Sequence, residues 1–157
     1  MTKEKKQEYT LRIAHANKTE LIVILYEMTL TYLEDALLAK DAGNREEYLK
    51  NIENAKKCID EMITNLHFEY ELAGKLKQQY LYFKKCLRDA EYDNQSEGIK
   101  TVIEQMGKLR DSYNAIKKTD TSASVMIHTE TVLTGLTYNK EKILDSLSSY
   151  CDRGYRV

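Results

Sequence analysis

The sequence predicts an all-α fold, an antiparallel four-helix bundle with an N-terminal arm and a C-terminal extension. Three observations predict it. Among 157 residues there is no proline and there are only six glycines, the residues that most often break or weaken helix interiors. Apolar residues recur at steps of three and four through residues 17–117, the period of a helix face and not of a strand. At the head of three of these stretches an asparagine stands three residues before a glutamate, the capping-box spacing that satisfies two otherwise unpaired backbone donors.

Residues 1–16 are expected to be a mobile arm. Lys3, Lys5 and Lys6 stand among Glu4, Gln7 and Glu8 without periodicity. Tyr9, Leu11 and Ile13 then alternate, as an extended segment does when it lies against another surface. A first helix begins at Asn17, with Glu20 completing the cap, and ends at Gly43. It carries one stripe at Leu21, Leu25, Met28, Tyr32 and Ala36 and a second at Ile22, Tyr26, Leu30, Leu33 and Leu37. A second helix follows Asn44 and Glu47, with a heptad seam at Tyr48, Ile52, Ala55, Ile59, Met62 and Leu66. A third runs from Tyr70 to Glu91 through Leu72, Leu76, Tyr80, Phe83, Leu87 and Ala90. The polar run from Tyr92 to Ser96 breaks it, and Asn94 with Glu97 gives the third box. The fourth helix carries Ile99, Val102, Met106, Leu109, Tyr113 and Ile116. Helices of about 20 residues joined by short turns place neighbours antiparallel. The organisation is therefore an arm over 1–16, a bundle over 17–117 and an extension over 118–157, in which Asn139 caps a short helix.

Composition narrows the function. A net charge of −1 argues against nucleic acid, because phosphate neutralisation supplies most of that affinity. The longest apolar run is Leu21 to Leu25, far short of the roughly 20 residues of a membrane span. The charged N-terminus lacks the apolar stretch of a signal peptide, so the expected location is the cytosol. Cys58, Cys86 and Cys151 are odd in number and far apart, which supports neither a disulfide framework nor a zinc site. Twelve tyrosines against two phenylalanines suit partly exposed grooves, since the ring is apolar and its tip polar.

No catalytic constellation emerges, and the expectation is a protein that is not an enzyme and needs no cofactor. A di-iron bundle needs Glu-x-x-His on two helices, but Arg12, Thr64 and Val125 precede His15, His67 and His128 by three residues. No phosphate-binding glycine loop or nucleophile elbow occurs. Glu46, Glu47, Glu69 and Glu71 suit helix-start charges better than paired catalytic acids.

One feature survives. One residue turns a helix by about 100°, so the two stripes of the first helix together exceed an ordinary amphipathic face. Either this helix is the most buried of the bundle, or one stripe faces the core and the other floors a groove for an amphipathic helix. The candidate client-binding residues are Tyr9, Ile13, Leu21, Ile22, Leu25, Tyr26, Leu30 and Leu33.

The run from Glu20 to Glu27, with Leu21-Ile22 and then Leu25-Tyr26-Glu27, resembles the start of the first helix of the flagellin secretion chaperones, the FliS family. Tyr9 stands upstream as the family's N-terminal tyrosine does. Gly43-Asn44 and Ile52 to Ala55 resemble its first hairpin, Tyr70-Glu71-Leu72-Ala73 its third-helix opening, and Leu109 to Tyr113 its fourth-helix end. The sequence departs from the pattern at Met28, where glycine is common, and at Tyr113, where tryptophan is frequent. The resemblance implies a cytosolic chaperone that binds the disordered C-terminal segment of flagellin, prevents premature polymerisation and delivers it to the flagellar export gate. The alternative is a regulatory or scaffolding bundle that binds another amphipathic helix. A homodimer stays open.

Overall fold

The computed structural model describes residues 1–66, 71–117 and 121–122. Within them five helices follow one another: α1 (Lys3–His15), α2 (Lys18–Asp41), α3 (Arg45–Thr64), α4 (Glu71–Asp93) and α5 (Glu97–Lys117). Among the described residues there is no strand. The helices form a bundle in which α2 packs against α3 and α5, and α4 touches both α3 and α5. Helix α1 rests mainly on α2. The extension beyond residue 122, with the expected short helix after Asn139, lies outside the described residues.

The caps explain where the helices begin. Asn17 Oδ1 accepts from the Glu20 backbone N–H at 2.8 Å, and Glu20 Oε2 accepts from the Asn17 N–H at 3.1 Å. The Asn44 side chain likewise accepts from the Glu47 N–H at 3.1 Å. Between α2 and α3, Gly43 adopts φ 72°, a left-handed conformation that costs a glycine little. The Asn44 N–H donates back to the Ala39 carbonyl there, at 2.8 Å.

The second expected capping box is therefore half made, and the third does not form. Helix α5 starts at Glu97, and its first backbone bond runs from Lys100 N–H to the Ser96 carbonyl at 3.0 Å. Asn94 instead sits in the left-handed region at φ 53°, where asparagine is among the residues best tolerated. Its side chain accepts from Arg45 Nη1 at 2.7 Å and its carbonyl from Lys40 Nζ at 2.6 Å. Arg45 also reaches the Glu91 carbonyl, and the Tyr48 hydroxyl donates to the Ala90 carbonyl. Cationic and hydroxyl donors from the α2–α3 corner thus occupy the last carbonyls of α4.

The main core gathers Leu25, Tyr26, Leu30, Leu33 and Ala36 of α2 with Ile52, Ile59 and Met62, with Phe83 and Leu87, and with Ile99, Val102 and Met106. It has a polar centre. The hydroxyls of Tyr26 and Tyr80 hydrogen-bond to each other, and the Tyr113 ring lies 5.5 Å from that of Tyr26.

The N-terminal segment corrects the expectation of an extended strand-like stretch. It is a helix, with Thr2 as N-cap accepting from the Lys5 N–H. Lysine, glutamate and glutamine have good helix propensity, and Tyr9, Ile13 and Ala16 follow helical steps of four and three. Leu11, which made the pattern look alternating, points outward and is 54% exposed.

Candidate functional site

Helix α2 has two apolar surfaces. The larger is the bundle core. The smaller holds Ile24, with Leu21 and Met28 beside it, and is covered by Tyr9, Ile13 and Ala16. Residues 24, 28, 31 and 35 continue this second face at steps of four, three and four, so it runs the length of α1.

Polar contacts hold α1 in place. Arg12 Nη1 pairs with Glu27 at 2.6 Å. The Tyr9 hydroxyl and the Thr31 hydroxyl lie 3.2 Å apart in a buried hydrogen bond. The amino group of Met1 pairs with Asp35. Arg12 also stands over the Tyr9 ring, 5.5 Å from its centre, a cation–π contact. The hydrogen bond to Glu27 raises the Arg12 pKa above its ordinary value. Near its C-terminal end α1 leaves an open cleft of about 460 Å³, lined by Leu11, Arg12, His15, Glu20, Ile24 and Lys117. Lys117 pairs with Glu20 across it at 3.3 Å, tying the end of α5 to the start of α2. The cover is thus held at discrete points and does not fill the space beside it.

The structure divides the eight residues singled out in the sequence. Tyr9, Ile13 and Leu21 come together under and on α1. Ile22 is half-buried against the main core, and Leu25 and Leu30 are buried in it. Tyr26 and Leu33 are 0% exposed; no partner touches them while the bundle is closed. Ile24, Met28, Thr31 and Asp35 were missed. Their spacing was visible, but two polar members hide the stripe from a purely apolar count.

Burial dominates the chemistry of the inner tyrosines. Desolvation raises the pKa of Tyr80 to about 12 and that of Tyr26 further, and both stay neutral. Among the described residues no group of three His, Cys, Asp or Glu side chains is arranged to hold a metal. Among them, too, no helix is long and apolar enough to cross a membrane. Cys58 and Cys86 are in no disulfide among the described residues, and Cys151 lies outside them.

No curated protein matches the chain. The model of one family, described as flagellar protein FliS, matches residues 1–120. That match spans every described helix, including α1 and the α2 face it covers, and the chain belongs to the FliS family of flagellar secretion chaperones.

Proposed function

We propose that the protein is a cytosolic export chaperone that binds the disordered C-terminal segment of flagellin. In doing so it keeps flagellin from polymerising early and supports its delivery to the export gate. One observation carries this reading. Among the described residues, helix α2 has an apolar face outside the main core that a short, point-attached helix closes. A soluble protein does not ordinarily keep a second apolar face along one helix unless something docks there. The contacts of α2, α3, α4 and α5 around a ring, and the short turns at 42–44 and 94–96, support an antiparallel four-helix bundle as the frame.

In this reading α1 is a removable cover. The client segment, disordered until bound, forms a helix in the place α1 leaves and buries Leu21, Ile24 and Met28 in its stead. Folding on binding costs the client about 2–5 kcal/mol in ordering, which a long apolar face offsets at about 25 cal/mol per Å². Tyr26 and Leu33 contribute from below, by fixing the shape of α2.

Co-purification tests the proposal. The full chain is expected to retain flagellin that carries its C-terminal segment and to lose flagellin that lacks it. Equal retention of both sinks the reading. Binding of unrelated amphipathic helices with the same affinity would make the protein a general helix scaffold.

A further inference from the structure

We infer that the face under α1 selects its occupant by charge, and that the helix it takes carries two cations on one edge, about two helical turns apart. The inference rests on the reading of this face as the client site. Glu27, Thr31 and Asp35 lie four residues apart along α2 and so form one polar line on its surface. Helix α1 answers each of them, in reverse order along its own length: Arg12 at Glu27, Tyr9 at Thr31, and the Met1 amino group at Asp35. At a rise of about 1.5 Å per residue the two carboxylates stand about 12 Å apart. The line borders the apolar strip of Leu21, Ile24 and Met28.

The consequence follows from what happens when α1 leaves. Thr31 loses little, because its hydroxyl also donates to the Glu27 backbone carbonyl at 3.0 Å. Glu27 and Asp35 are different. Their side chains are only 26% and 29% exposed with α1 in place. An incoming helix that is apolar along its whole inner edge would cover both carboxylates without a partner, and an unpaired, half-buried charge is costly. A helix with arginine or lysine at the two positions replaces the contacts that α1 gave up. Helices lacking them are rejected by the same carboxylates, so the polar line discriminates while the apolar strip supplies affinity.

Two substitutions that break the same ion pair separate this idea from a role in holding α1 alone. Arg12→Gln removes the cation of the cover and leaves Glu27 for the client. Glu27→Gln breaks the same ion pair, leaves Arg12 over the Tyr9 ring, and takes away the client's partner. The probe is a fluorescently labelled flagellin C-terminal segment, titrated into each full-length variant, with thermal melting to confirm that both variants are folded alike. Arg12→Gln is expected to bind a few-fold more tightly than the unaltered chain, and Glu27→Gln about tenfold more weakly than Arg12→Gln. That gap narrows in about 0.5 M salt, where screening shortens to about 4 Å. Equal affinities of the two variants overturn the inference and leave the client site standing. Absence of binding by the unaltered chain overturns the client reading and the inference with it.

Discussion

The two faces of α2 solve different problems. The inner face, toward α3 and α5, is closed by side chains that are mostly buried, and the Tyr26 and Tyr80 hydroxyls satisfy each other inside the core. Among the described residues, the outer face meets one short helix through a few apolar contacts and three polar points, beside an open cleft. Interiors packed without voids are hard to open, whereas a helix attached at few points opens at low cost. A single helix thus serves as the axis of the bundle and, in the proposed reading, as the floor of the client site, and two such tasks account for its wide apolar arc.

The largest contrast comes from placing a charge on each face. Tyr26→Lys puts an ammonium group in the core where a neutral hydroxyl pair sits. Its cost of about 4 kcal/mol or more is a large part of a small domain's stability. Circular dichroism should show the helical signal lost or its melting shifted steeply down. Ile24→Lys meets the rim of α1, where the amine can reach water along its stem. It should free α1 and leave the bundle melting within about 1–2 kcal/mol of the unaltered chain. Comparable unfolding by both would erase the distinction between the faces.

Alkaline pH probes the inner face without mutation. Desolvation raises the folded-state pKa of Tyr80 to about 12 and that of Tyr26 further, while tyrosines in an unfolded chain titrate near pH 10. Below about pH 10 both states keep these protons and the stability is complete. Above it the unfolded chain releases protons that the folded chain retains, so stability falls as pH rises, by up to about 1.4 kcal/mol per tyrosine per pH unit. Urea midpoints measured from pH 8 to 11.5 should show that decline. The double change Tyr26→Phe with Tyr80→Phe should flatten it.

The same pair gives a smaller effect near neutrality. Tyr80→Phe leaves the Tyr26 hydroxyl buried without its partner, at a cost of about 1–3 kcal/mol. Removing both hydroxyls costs less than that single change, because no polar group is left stranded. A double-mutant cycle by chemical denaturation measures the coupling, and additive losses would mean that the two hydroxyls do not depend on each other.

What was legible in the sequence follows the same division. The inner-face residues of α2 to α5 announced themselves through steps of three and four, and Asn17 and Asn44 marked two starts, because burial in a bundle imposes that period. Asn94 misled because its spacing to Glu97 fits a cap, while tertiary donors from Lys40 and Arg45 use it as a turn. Helix α1 was hidden for a different reason. A helix that docks through only Tyr9, Ile13 and Ala16 needs few apolar positions, and exposed Leu11 made them look alternating. The Thr2 cap and the lysine- and glutamate-rich first turns were the overlooked signals. The outer face was half visible. Tyr9, Ile13 and Leu21 pack together as a group, but the stripe through Ile24, Met28, Thr31 and Asp35 mixes apolar and polar residues, which a count of apolar steps does not register.

Removal of residues 1–13 tests the outer face with the mildest effect on the fold. The cut leaves Ala16 and the complete Asn17 cap, so α2 keeps its start. It uncovers Leu21, Ile24, Met28 and Thr31, and the main core is untouched apart from contacts of Met1. A client that must displace α1 binds with an affinity reduced by the fraction of chains already open. A cover held by about 1 kcal/mol therefore lowers the apparent affinity about fivefold. The shortened chain should bind the flagellin segment tighter by that factor, or associate with it faster, and should melt within about 1 kcal/mol of the full chain. Free of client it should aggregate more readily, because an apolar strip that α1 kept from water is now exposed. Light scattering of the empty protein and titration with the labelled segment measure the two effects. Weaker binding after the cut would reverse the role of α1. Tyr9 would then be a clamp, its ring packed on the client helix, and α1 would close over the client where the cover model has it give way.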